Sequence, residues 1–274
     1  MADLRSWVGR RESAEDVISP APLSRLAVTL GRDDPPPRAG DPLPPCWHWL
    51  YFLEAPPPAD LGPDGHARRG GFLPPSELPR RMWAGGRLTF HKPLRVGEAA
   101  RRESEILSVT AKQGRSGDLL FVTLRHEISG GGGVAITEEH DIVYREAASR
   151  SGASRPGEQP PRDALWRREV TPDAALLFRF SALTFNAHRI HYDRDYATVT
   201  EGYPGLVVHG PLTVILLLDL LRDEAPERTL AGFDYQALAP LFDTSPFTLA
   251  GTPEMLWAER PDGTLAMRGV TKFK

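Results

Sequence analysis

The segment from Pro211 to Arg222 constrains this chain more than any other. Eight of the ten residues between Leu212 and Leu221 are aliphatic, interrupted only by Thr213 and Asp219. Coiled as a helix, Leu212, Ile215, Leu216, Leu218, Leu220 and Leu221 cover most of the circumference, so no face can be left to water. The stretch is far short of the roughly 20 apolar residues that span a bilayer. It must be wrapped by protein, and a curved antiparallel sheet is the economical wrapping.

Strands for that wrapping come in two groups. Gly86–His91, Glu103–Ala111, Leu119–Ile128 and Val134–Tyr144 alternate with a period of two, the last pair joined by the turn Gly130–Gly133. With no helix between them they read as an antiparallel meander. Later, Thr229–Leu238, Phe247–Ala258 and Thr264–Phe273 read as strands, with Pro261-Asp262-Gly263 as the final turn. Ser13–Leu30 opens with Ser-x-x-Asp and predicts a short helix either side of a kink at Pro20 and Pro22, and Asp173–Thr184 predicts another helix. Each half is thus expected to be a helix on a sheet of about four strands, an α+β architecture. A weak echo, Lys92-Pro93-Leu94-Arg95-Val96 against Ala239-Pro240-Leu241-Phe242-Asp243, is in keeping with duplication. The expected division is 1–147, a linker at 148–164 rich in Arg, Ser, Gly and Pro, and 165–274.

Composition narrows the function classes. Lys and Arg total 33 against 36 Asp and Glu, so no basic footprint for nucleic acid exists. One cysteine, Cys46, excludes a disulfide framework and a cysteine-based zinc cluster. No apolar run suggests a membrane span, and Met1–Arg5 lacks the basic-then-apolar pattern of a signal peptide. A cytoplasmic location is expected, or a mitochondrial one if the source is eukaryotic. The 27 prolines, nearly twice the usual share, cluster in stiff extended runs, and residues 32–82 are loop-rich around the aromatic knot Trp47–Phe52, expected to be core or interface.

Three of the eight histidines fall within 22 residues, in polar chain directly before the buried helix. The segment Thr184-Phe185-Asn186-Ala187-His188-Arg189-Ile190-His191-Tyr192-Asp193, with His209-Gly210 downstream, resembles the hydratase-2 motif of MaoC-like enoyl-thioester hydratases. That signature runs Ser-Gly-Asp-x-Asn-Pro-x-His-x-Asp. Here Asn186 stands at the catalytic Asp position, His188 at the Asn and Arg189 at the Pro. The wording of Gly71–Pro75, Pro79–Gly86 and Glu139–Tyr144 is similar to a narrower branch, the 3-methylfumaryl-CoA (mesaconyl-C4-CoA) and itaconyl-CoA hydratases with the type 2 hydroxyacyl-thioester dehydratases.

The resemblance implies a double hot-dog fold, with a non-catalytic half at 1–147 and a catalytic one at 165–274. It implies a hydro-lyase that reversibly hydrates an α,β-unsaturated acyl thioester, most simply a short, branched, carboxylated acyl-CoA yielding citramalyl-CoA. The alternative is a 3-hydroxyacyl dehydratase of fatty-acid synthesis, taking acyl-CoA or acyl carrier protein. Such chemistry needs a group that exchanges protons near neutrality, which suits His191. Asn186 cannot take a proton and is assigned to orienting water. Gly210, ahead of Pro211, would leave a free N–H at the helix's positive end for the thioester oxygen. Asp193, His188 and His209 are supporting candidates, and Arg189 is placed to meet a substrate carboxylate. The pairs Arg68-Arg69, Arg80-Arg81 and Arg101-Arg102 are candidates for coenzyme A phosphates. A metal hydrolase built on His188, His191, Asp193 and His209 lacks the general-base Glu of the helical zinc motif, so no metal and no cofactor is expected. A non-catalytic thioester-binding subunit and a thioesterase are the remaining readings, and a homodimer is compatible with all of them.

Overall fold

The computed structural model describes residues 4–114, 117–146 and 157–274. Five strands precede residue 146: β1 (Arg11–Val17), β2 (Arg80–Phe90), β3 (Ala99–Gly114), β4 (Gly117–Gly130) and β5 (Gly133–Arg145). Five more come after it: β6 (Trp166–Val170), β7 (Leu230–Ala237), β8 (Phe247–Gly251), β9 (Met255–Glu259) and β10 (Leu265–Phe273). The helices are α1 (Pro20–Thr29), α2 (Ala174–Leu183) and α3 (Gly210–Glu224). All ten strands join one antiparallel sheet, ordered β1-β3-β4-β5-β2-β7-β10-β9-β8-β6. Outward from the β2–β7 seam, each group of five runs in one order: its second strand, then fifth, fourth, third and first.

The echo seen in the sequence occupies equivalent places in the two groups. Leu94 accepts a hydrogen bond from the Leu43 amide and Val96 donates to Asp41, at 2.8 and 3.0 Å. Leu241 accepts from Val208 and Asp243 donates to Leu206, at 2.9 and 3.0 Å. The two groups diverge just after these isolated bridges, Pro42 with Arg95 and Val207 with Phe242. Residues 206–208 lead into α3, fifteen residues long, whereas 41–43 lead only into a single 3-10 turn, Trp47–Leu50. The aromatic knot takes the place of a long helix, with Trp47, Leu50, Tyr51 and Phe52 all in the core.

As its pattern demands, α3 is buried almost all round: Leu212, Val214, Ile215, Leu217 and Leu220 have no exposure, and Leu216 alone of the expected face is only half-buried. Asp219 is the charged exception. Burial pushes its carboxyl up to about 6, and Arg32 approaches it at 3.5 Å.

Three local expectations change. The helix predicted from Ser13 is strand β1, because alternate side chains pair across to β3: Arg11 with Glu105 at 3.0 Å and Glu15 with Arg101 at 3.6 Å. Pro20 and Pro22 do not kink a helix but start one, in the first turn where a missing N–H is harmless. The strand expected across Phe247–Ala258 folds back as the β8–β9 hairpin, since Pro253 cannot continue a ladder and Thr252 closes the turn onto Met255 at 2.8 Å. The edge strand β6 is too short and charged to be seen in advance. Of the expected linker, residues 148–156 lie outside the described residues, and Glu158 bonds along β10 at Leu265.

Truncating α3 tests its role. Leu217→Ala, at a fully buried site, is expected to cost about 2–5 kcal/mol in urea denaturation, with the far-ultraviolet spectrum unchanged.

Candidate active site

The site loop is launched from the end of α2. The amide of Asn186 bonds to Ser181 at 2.8 Å and that of Phe185 to Ala182 at 3.4 Å, the pairing of a Schellman ending. Its left-handed position, usually glycine, is filled by Phe185 at φ 50°. This strained turn delivers Asn186, whose Oδ1 accepts the His188 amide at 2.9 Å. With the carbonyl engaged, the amide's two N–H donors are what Asn186 offers to the site.

A 3-10 turn, Arg189–His191, then carries His191 inward. Its Nδ1–H donates to the Val207 carbonyl at 2.7 Å, which puts the ring's lone pair on Nε2. The ring stacks on His209, centroids 3.7 Å apart and planes 18° from parallel. His209 caps α3 and bonds through Nε2 to Ser181 Oγ at 2.8 Å. Burial pushes His191 down to about 3 and holds His209 well below its ordinary value, so both rings are neutral at physiological pH. Next to them α3 begins at Gly210, and its neighbour Pro211 has no N–H. A Cβ on Gly210 would stand 3.1 Å from the Trp83 ring, so glycine lets β2 close over the helix start.

The other residues singled out from sequence separate into two groups. His188 joins the cluster, its ring 5.3 Å from His191, and is pushed down to about 3 chiefly by burial. Arg189 and Asp193 turn away: Arg189 Nη2 pairs with Asp193 Oδ2 at 2.7 Å, and its guanidinium lies over the Tyr196 ring. Asp193 also accepts the Tyr196 amide at 3.0 Å, so it caps the next turn and does not reach His191. The four-ligand set His188, His191, Asp193 and His209 therefore does not converge on a metal.

The N-terminal half supplies parts that local pattern marks only as loop. Gly65, at φ 89°, sits so close to the site loop that a Cβ would come within 1.8 Å of the Ala187 carbonyl. This turn places the His66 ring 4.1 Å from His188, and the Asp64 carboxylate accepts His66 Nδ1–H at 3.1 Å. Asp64, His66 and His188 bring three ligand-type atoms within 4.8 Å of one another, the one such set among the described residues. The Asp-Gly dipeptide before His66 is the only local signal. A separate groove of about 630 Å³, lined by Arg32, Arg168, Arg179 and Asp223, lies at the C-terminal end of α3. Fifteen residues at 1.5 Å each put it about 20 Å from Gly210. Its charges already pair with one another, as Arg32 does with Asp223 at 2.9 Å.

The repeated strand order, with a buried helix on one side of the seam, is that of a double hot-dog. Solved structures share the fold. HtdX of Mycobacterium tuberculosis superposes with a TM-score of 0.69 at 18% identity, over 97% of this chain and all of that one. A second M. tuberculosis protein, described as a double hot-dog, covers 97% of this chain and 96% of its own with a TM-score of 0.58 at 12% identity. In sequence, the family model for hydroxyacyl-thioester dehydratase type 2 matches residues 46–243. The mesaconyl-C4-CoA hydratase of Chloroflexus aurantiacus is 51% identical over 99% of this chain and 98% of its own length. The chain belongs to the hydroxyacyl-thioester dehydratase type 2 family. It is a hydro-lyase, adding water to an unsaturated acyl thioester or removing it.

Neutral buried histidines carry a pH signature. The folded pKa values lie below the unfolded value of about 6.5, so the unfolded chain binds more protons as pH falls through 6.5. Stability is then lost progressively down toward the folded values. Each histidine held near 3 costs about 2 kcal/mol at pH 5 by this linkage. The melting temperature is expected to be flat above pH 7 and to drop by several degrees between pH 6.5 and 5, in differential scanning calorimetry. A flat profile across that window would show that the rings are not buried neutral.

Proposed function

We propose that this enzyme hydrates a short, branched enoyl-CoA bearing a second carboxylate, mesaconyl-C4-CoA in particular, to the corresponding 3-hydroxyacyl-CoA, citramalyl-CoA. The observation that carries the reading is the 51% identity, end to end, with the Chloroflexus hydratase of that name. The histidine geometry supports it. His191 Nε2 takes a proton from water as the oxygen bonds to the β-carbon. The π electrons shift toward the thioester oxygen, which the Gly210 N–H stabilises at the positive end of α3; such a donor is worth about 3–4 kcal/mol of barrier. The proton on His191 then passes to the α-carbon, leaving the ring neutral again. Asn186, through its N–H donors, holds the water.

In this reading residues 165–274 hold the catalytic groups. Residues 1–147 act as the partner half, whose missing long helix leaves room for the acyl chain, and 148–164 connect them. His209, stacked on His191 and bonded to Ser181, keeps the ring plane in place. His188 and the Asp64–His66 pair seal the other side of the loop. Coenzyme A is the carrier expected from that hydratase, and no described helix is long and apolar enough to cross a membrane. The wider family favours a second reading, dehydration of a neutral 3-hydroxyacyl thioester.

A panel of enoyl-CoA thioesters, followed by loss of the conjugated absorbance, separates the two. The carboxylated C5 substrate is expected to exceed crotonyl-CoA in kcat/KM by at least about tenfold. Turnover of crotonyl-CoA alone would overturn the first reading. His191→Ala is expected to lower kcat by at least about 10²-fold, the scale of a lost general acid–base group. Asn186→Asp should keep measurable activity, because a carboxylate can also hold water.

A further inference from the structure

Arginines surround the site, and all but one of those nearest it are already engaged. Arg69 donates to the carbonyls of Ser76 and Pro79, at 2.6 and 2.8 Å. Arg80 pairs with Glu201 at 3.1 Å and lies over the Tyr203 ring. Arg189 is taken by Asp193. Arg81 differs: among the described residues its side chain meets no acid and completes no hydrogen bond, although it is half-buried. None of its nitrogens is sealed off, so the guanidinium remains free to meet an anion that enters the site.

The register says where Arg81 points. It pairs with Tyr144 on β5, and Trp83, two residues on, pairs with Ile142. Tyr144 and Ile142 are both 1% exposed, so Arg81 shares the inner face of the sheet with Trp83, which covers Gly210. His140 lies on that face too, its ring 5.3 Å from Trp83. Among the described residues His140 Nε2 completes no hydrogen bond there, while the buried Trp83 Nε1–H and Tyr235 Oη are directed at each other. The charge of Arg81 adds to burial in holding His66, His140 and His188 below their ordinary values. Glu138 shares the face, but its oxygens are occupied by His48 Nε2 at 2.9 Å and by Trp49 Nε1 at 3.1 Å. An unpaired guanidinium on the same face as an unsatisfied imidazole nitrogen suits an acceptor with several lone pairs and a negative charge, which describes a carboxylate.

We propose that Arg81, with His140 beside it, holds the acyl carboxylate of the substrate. The inference rests on the carboxylated-thioester reading above and supplies its specificity-determining residue, from the half that lacks the reacting groups. In mesaconyl-C4-CoA the carboxylate is bonded to the carbon that water attacks. Left unpaired, its charge would repel the incoming oxygen; held by a guanidinium, it no longer does.

The test compares wild type with Arg81→Met, Arg81→Lys and His140→Phe on mesaconyl-C4-CoA and crotonyl-CoA. Arg81→Met is expected to lower kcat/KM at least about 10²-fold for the carboxylated substrate and less than about threefold for crotonyl-CoA. Arg81→Lys should recover part of the loss, which a folding defect would not allow. Equal losses on both substrates, or none on either, would overturn the proposal. Calorimetric binding of two unreactive saturated thioesters, methylsuccinyl-CoA and butyryl-CoA, gives a readout independent of turnover. A preference for the carboxylated one, at least about tenfold and lost in Arg81→Met, sustains the subsite even if wild type fails to hydrate mesaconyl-C4-CoA; in that case only the reaction reading falls. No preference in wild type overturns the subsite.

Discussion

The molecule is held in register by the pairing of β2 with β7. Five residue pairs, from Gly85 with Gln236 to Thr89 with Gly232, fuse two five-stranded groups into one sheet. Everything at the site inherits its position from that seam. It sets Trp83 over the start of α3, the Gly65 turn against the Ala187 carbonyl, and the inner face of β2 and β5 opposite the histidines. Neither group has an equivalent alternative. A single five-stranded sheet could not cover α3 on every side, and α3 has no face suited to water.

Duplication with unequal retention explains the division of labour. The two groups keep the same strand order and the same pair of backbone hydrogen bonds ahead of the helix position. Only the second keeps the helix. A helix N-terminus carries free N–H groups and a positive partial charge, and the first group has no long helix to supply them at the corresponding place. In exchange, the first half contributes side chains from its concave face and the turn that packs against the site loop.

The electrostatics of the site derive from burial more than from paired charges. His191 and His209 stack face to face, which tolerates at most one positive charge, and desolvation keeps both neutral. In a neutral His191 with Nδ1–H committed to Val207, the lone pair left over is on Nε2. The residue that sequence spacing suggests as its orienting carboxylate, Asp193, is spent on Arg189 and on the Tyr196 amide. A backbone carbonyl does that work, and carbonyl positions carry no signature in residue identity.

What the sequence determined by itself was whatever repeats locally. The all-round apolar helix and the period-two strands depend on neighbours a few residues away, and they hold in the structure. Local pattern misleads where distant partners decide. Residues 11–17 are a strand because Glu105 and Arg101 lie across from them, about 90 residues on, and local pattern favours a helix there. The turn carrying Asp64 and His66 gains meaning only from His188, more than 120 residues away. The same holds for the two arginines. Arg189 lies two residues from His191 in sequence yet turns outward to Asp193, while Arg81, 110 residues away, faces inward because β2 sits at the seam. Proximity along the chain is a weak guide to side-chain direction; the strand register, fixed only once the sheet is assembled, decides it.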